Sequence, residues 1–96
     1  MRQTYMVSYD VSDPKRLRRV FKLMRGYGDH LQLSVFRCEL NERELVELRS
    51  KLGVVIHQKQ DQVLFVDVGP AEGRGRTSMR TLGRPLTVQE RLAIVV

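Results

Sequence analysis

The sequence predicts an α+β domain, a small sheet with helices along one side, and three observations carry that expectation. Segments 4–11 and 31–40 alternate side chains with a period of two, while segments 14–27 and 41–52 place apolar residues at three- and four-residue steps. A short apolar run, Val63 to Val68, closes the order strand, helix, strand, helix, strand. With 96 residues, 42% hydrophobic and 29% charged, the chain has the balance of one folded domain and too little length for a deep private cavity.

The first strand sets Tyr5, Val7, Tyr9 and Val11 on one side and Met6, Ser8 and Asp10 on the other, so Asp10 ends the less apolar face. Ser12 or Asp13 then caps a helix whose first turn accepts Pro14, and Gly26 and Gly28 supply its stop. Its apolar stripe is Leu17, Val20, Phe21, Met24 and Tyr27. A single second strand is expected over Leu31 to Leu40. Both of its faces carry apolar groups, which leaves one sheet face partly oily and suits a subunit contact.

Asn41 with Glu44 has the form of a capping box, and Leu45, Leu48 and Leu52 line a second helix that Gly53 is expected to end. Val54 to His57 fits either a connector or a strand. A flexible loop is expected from Gly69 to Gly75, a further strand from Thr77 to Leu82, and an edge strand from the bare apolar end Ala93-Ile94-Val95-Val96, on another copy of the chain.

Seventeen Lys and Arg against eleven Asp and Glu give a formal net charge of +6, which favours polyanionic partners, nucleic acid before all. No apolar run approaches the ~20 residues of a spanning helix and no signal-peptide pattern is visible, so no membrane partner and a cytoplasmic location are expected. One cysteine, Cys38, excludes an internal disulfide and reads as a small packed thiol. His30 and His57 stand alone, without zinc-ligand spacing.

The charge is concentrated. Lys15, Arg18, Arg19, Lys22 and Arg25 share the helix face opposite the apolar stripe with no acid between Pro14 and Gly28, whereas the second helix mixes signs. The one-sign face is read as a phosphate surface. Arg16, at the margin of the stripe and in the first turn where a cation opposes the helix dipole, requires an offsetting partner: Asp10, Asp13 or a substrate phosphate. Asp10 is the candidate metal ligand. One carboxylate is thin for Mg²⁺, but a two-fold dimer would bring two copies to one axis, where the ion could orient water and stabilise charge on a phosphodiester. Asp13 suits a cap and Asp67 a structural role. The basic last quarter, with Arg74, Arg76, Arg80, Arg84 and Arg91, reads equally as more anion-binding surface or as a solubilising tail.

Tyr9-Asp10-Val11-Ser12-Asp13 before an arginine-rich helix, Tyr27-Gly28-Asp29-His30 leading into Gln32-Leu33-Ser34-Val35-Phe36, and then Glu39-Leu40 resemble the family of the second CRISPR-associated protein, over about the first 68 residues. Leu82-Gly83-Arg84-Pro85 and the apolar end are similar to one subgroup. The resemblance implies a ferredoxin-like βαββαβ sandwich, residues 1–68 as its core and 69–96 as loop and C-terminal dimerisation strands exchanged in a homodimer. It also implies partnership with the CRISPR integrase in spacer acquisition and catalysis through a magnesium ion shared by two Asp10 carboxylates. Lys15, Arg16, Arg18, Arg19 and Lys22 would then hold nucleic acid, while Ser34 and Phe36 would lie near the symmetry axis. Leu33 and Arg37 depart from the family pattern, an aromatic and an acid being common there.

Two roles follow from the resemblance: a metal-dependent endonuclease acting on RNA or DNA, and a non-catalytic scaffold for double-stranded DNA. A third reading, a single-stranded RNA binder, requires stacking aromatics on the open sheet face, and the chain has only three Tyr and three Phe to supply them.

Overall fold

One sheet of four antiparallel strands carries two helices on one face. The structure is a computed structural model and describes residues 1–86. In chain order the elements are β1 (Gln3–Asp10), α1 (Pro14–Arg25), β2 (Gly28–Gln32), β3 (Val35–Leu40), α2 (Glu42–Val55), β4 (Gln62–Pro70) and α3 (Arg74–Thr77). This is the ferredoxin-like βαββαβ arrangement, with β1 paired to both β3 and β4. The expected end strand Ala93 to Val96 lies outside the described residues.

The core follows from the alternation. Val7 pairs across β1 with Phe36 on one side and Phe65 on the other, placing all three on the helix side of the sheet. Val20 and Met24 of α1 and Leu48 and Leu52 of α2 close over them, all buried. Around Phe36 the aromatic rings of Tyr9, Phe21 and His30 lie with centroids 6.2, 5.7 and 4.9 Å away. The opposite face shows Met6, Ser8 and Asp10 of β1 beside Val35, Arg37, Leu64 and Val66, with Leu64 52% exposed.

Both long helices start on side-chain caps. The Asp13 carboxylate accepts the Arg16 N–H and Pro14 follows at the first helical position. Asn41 and Glu44 form the reciprocal box, at 2.8 and 2.9 Å. Replacing Asn41 with alanine removes one of its two bonds and should lower unfolding stability by about 1 kcal/mol with an unchanged denaturant slope. A loss below ~0.3 kcal/mol in urea titration would show the box to be idle.

Four expectations change. The single strand 31–40 is a hairpin, turned at Leu33 and Ser34, and Leu33 stands 91% exposed in the turn. Gly28 opens β2 instead of stopping α1, because a Cβ there would lie 2.5 Å from both the Arg37 carbonyl oxygen and the Cys38 sulfur. Helix α2 runs through Gly53 to Val55, since Val55 and Ile56 pack on the core and outweigh a glycine penalty of roughly 1 kcal/mol. Beyond β4, Arg74–Thr77 is a short helix and no strand forms over 78–82. Helix α3 covers buried Thr4 at one end of the open face, and Gly75 permits the approach, because a Cβ at that position would overlap the Thr4 side chain.

Candidate active site and nucleic-acid interface

Asp10 is the last residue of β1, on the open face and opposite Gln62 of β4. It is exposed, and its carboxylate meets no hydrogen-bond donor or cation among the described residues. The acid beside it is occupied, Asp13 serving as the cap. No group of three or more His, Cys, Asp or Glu side chains able to hold a metal ion occurs among the described residues. At this strand end one chain offers a cation the Asp10 carboxylate, the neighbouring Asp13 being engaged as the cap. Two chains related by a two-fold axis through this face would offer two, the number Mg²⁺ commonly takes from protein while water and phosphate complete its shell.

Helix α1 presents the positive charge. Lys15, Arg18, Arg19 and Lys22 are all exposed, and none meets an acid among the described residues. They rim a groove of about 900 Å³ whose other walls are Tyr9, Leu17, Phe21, Leu33 and Ser34. Arg25, on the same helix, lies over the Phe21 ring at 5.4 Å.

Arg16 behaves differently from its neighbours. Its Nε donates to Asp61 Oδ2 at 2.7 Å and its Nη2 to Oδ1 at 3.2 Å, with further bonds from Nη2 to Gln60 and the Ser12 hydroxyl. The partner is therefore Asp61, 45 residues away, and neither Asp10 nor a free phosphate is needed to explain its charge. Asp61, with a fully buried side chain, also accepts the Ser12 N–H and hydroxyl and the His57 N–H. The Arg16 hydrogen bonds hold its carboxyl well below the ordinary carboxylate range, against the opposing effect of burial. Asp61 is not foreseeable from the sequence, because it follows a polar loop with no local pattern that announces a partner on α1.

Ser34 sits in the β2–β3 turn, half-buried, its carbonyl accepting the Tyr9 N–H at 3.0 Å. The Phe36 side chain is fully buried on the helix side of the sheet, against Phe21 of α1, so any support it lends to an interface passes through the shape of the sheet. All six aromatic residues lie in the core or pack against it, which removes the stacking platform that the single-stranded RNA reading requires. Asp67 accepts from Gln3 and the Gly69 N–H, a structural role. No helix among the described residues is long and apolar enough to cross a membrane.

Fold and site together define a class: ferredoxin-like domains that set one free strand-end carboxylate beside an acid-free basic helix. The chain belongs to the family described as CRISPR associated protein Cas2, whose model matches residues 3–73. A Rhodospirillum rubrum protein named CRISPR-associated endoribonuclease Cas2 1 is 42% identical over 92 residues, covering 96% of this chain and 89% of its own. Geobacter sulfurreducens has a CRISPR-associated endoribonuclease Cas2 that is 35% identical over 96 residues and covers both chains fully. Among solved structures, Streptococcus pyogenes Cas2 aligns with a TM-score of 0.72 at 36% identity, over 83% of this chain and 99% of that one.

Proposed function

We propose that this protein is a divalent-metal-dependent endonuclease that works as a homodimer, with the two Asp10 carboxylates sharing one Mg²⁺ and the α1 cations holding the phosphodiester strand. The observation that carries the reading is the unpartnered Asp10 carboxylate at the end of the open face. Among the described residues this exposed carboxylate caps nothing and pairs with nothing, which leaves both of its oxygens open to a cation. The apolar groups around it, Leu64, Val66, Met6 and Val35, favour covering that face with a second copy. Names of the relatives support nuclease chemistry, and family membership supports action beside the CRISPR integrase in spacer acquisition.

When bound, the ion would supply charge neutralisation at phosphorus and activation of water. The chain's own contribution is positional. Lys15, Arg18, Arg19 and Lys22 fix the sugar-phosphate backbone, and Asp10 fixes the ion against it. The test is cleavage of labelled single-stranded RNA and duplex DNA with Mg²⁺ and with EDTA, using protein whose dimeric state is checked by light scattering. EDTA-insensitive cleavage, or a strict monomer, overturns the proposal.

A second reading, a non-catalytic scaffold binding double-stranded DNA, is favoured by the same basic face, which needs no metal. Both readings share a further expected result. Arg18→Ala and Arg19→Ala should each reduce the slope of log K against log salt by about 0.7–0.9 for every phosphate no longer held, while Arg16→Lys leaves the slope unaltered, because Asp61 already occupies that guanidinium. Fluorescence anisotropy from ~50 to ~200 mM salt reads the slopes. Equal slopes in wild type and all three variants would remove α1 from the interface.

A further inference from the structure

We infer that Asp61 is a positioning residue for Asp10, holding the β1–α1 connection so that the strand-end carboxylate and the basic helix keep a fixed relation; this rests on the nuclease reading above. Asp10 makes no side-chain hydrogen bond or ion pair of its own among the described residues, so its place depends on the backbone that carries it. Two residues later, Ser12 gives its N–H at 3.1 Å and its hydroxyl at 3.3 Å to Asp61 Oδ1. The first turn of α1 is seized through Arg16, and the turn after α2 through the His57 N–H at 2.8 Å. One carboxylate thus accepts five bonds from three segments, and it sits next to Gln62, the β4 residue opposite Asp10.

Geometry of this kind matters for phosphodiester chemistry, where displacing a catalytic group by about 1 Å is enough to lose roughly 10²-fold in rate. Asp61 has no exposed side-chain surface with which to touch substrate. Its effect must pass through Ser12 and Arg16.

The experiment compares wild type, Asp61→Asn and Arg16→Lys as dimeric proteins of the whole chain, well below their melting temperatures and with fold verified by circular dichroism. Two readouts are taken: steady-state cleavage of an oligonucleotide, and Mn²⁺-induced line broadening of the Asp10 amide signal. Positioning predicts that folded Asp61→Asn loses on the order of 10- to 100-fold in kcat with KM within about twofold, and that broadening at Asp10 weakens. Arg16→Lys, which keeps the charge and loses the planar fork, moves in the same direction and stands in if Asp61→Asn does not fold. Folded variants that match wild type in kcat and broadening overturn the positioning role alone. Wild type that shows neither cleavage nor broadening sinks the nuclease reading, and this inference with it.

Discussion

Asp10→Asn should abolish divalent-dependent cleavage, by on the order of 10³-fold or more, and leave oligonucleotide affinity in EDTA unchanged or slightly tighter. The size follows from the proposed symmetry, in which one substitution would remove both carboxylates from the shared ion site. The shape of the side chain is kept and only its charge and basicity are lost. Since the group is exposed and bonded to nothing among the described residues, the melting temperature should move by no more than an ordinary surface change would. In the proposed interface affinity is carried by α1, and losing a negative charge at the neighbouring strand end of each protomer favours a polyanion. The paired assay, cleavage with Mg²⁺ against anisotropy with EDTA, separates the two functions. Residual cleavage equal to wild type would remove Asp10 from the chemistry and point to a contaminating nuclease; loss of binding together with cleavage would put Asp10 in the binding surface itself.

Arg16→Gln is expected to have the largest effect on stability. It leaves Asp61 as a buried carboxylate with its cation gone, and the cost of an uncompensated buried charge greatly exceeds that of losing an exposed pair. A drop of at least about 10 °C in melting temperature at neutral pH is expected. The pH dependence has a definite sign. Asp61 is depressed in the folded state from an ordinary value of 3.8, so its contribution is fully present above that value and is lost as pH falls below it toward the folded pKa. Wild type should therefore lose stability on acidification. In Arg16→Gln the depression is largely removed, so this part of the acid limb flattens while overall stability is lower. Thermal melts from about pH 3 to 8 decide the matter. A shift under about 3 °C with an unaltered acid limb would show that the buried pair contributes little.

The two substitutions divide the β1–α1 junction into parts with different duties. Asp10, facing solvent at the end of the open face, is expected to matter little for folding and is central to the proposed chemistry. Arg16, which in the sequence is only one more helix cation, belongs to the fold. Of the other α1 cations, Lys15, Arg18, Arg19 and Lys22 meet no acid among the described residues, so a bound anion would relieve their mutual repulsion.

Much of this is legible in the sequence. Period-two alternation places Asp10 on the face away from the helices, the three- and four-residue steps define α1 and α2, and Asn41 with Glu44 announces the capping box that forms. These are local patterns: each depends on residues within a turn or two, so the chain states them directly. The absence of acids along α1 is of the same kind.

What the amino-acid order determined by itself, then, is the set of elements, the sidedness of each and the sign of the charge on α1. Only the tertiary structure decided where elements break and which charges are already taken. The β2–β3 turn at Leu33 and Ser34 lacks a strong turn dipeptide and emerges because both halves pair in the sheet. Gly53 is carried inside α2 by packing beyond it, and Gly75 sets α3 against Thr4 from the far end of the fold. The Arg16–Asp61 bond joins residues 45 apart, through a contact that exists only once β4 lies beside β1. Long-range electrostatics and close approach are properties of neighbours in space, and a linear pattern does not record who those neighbours are.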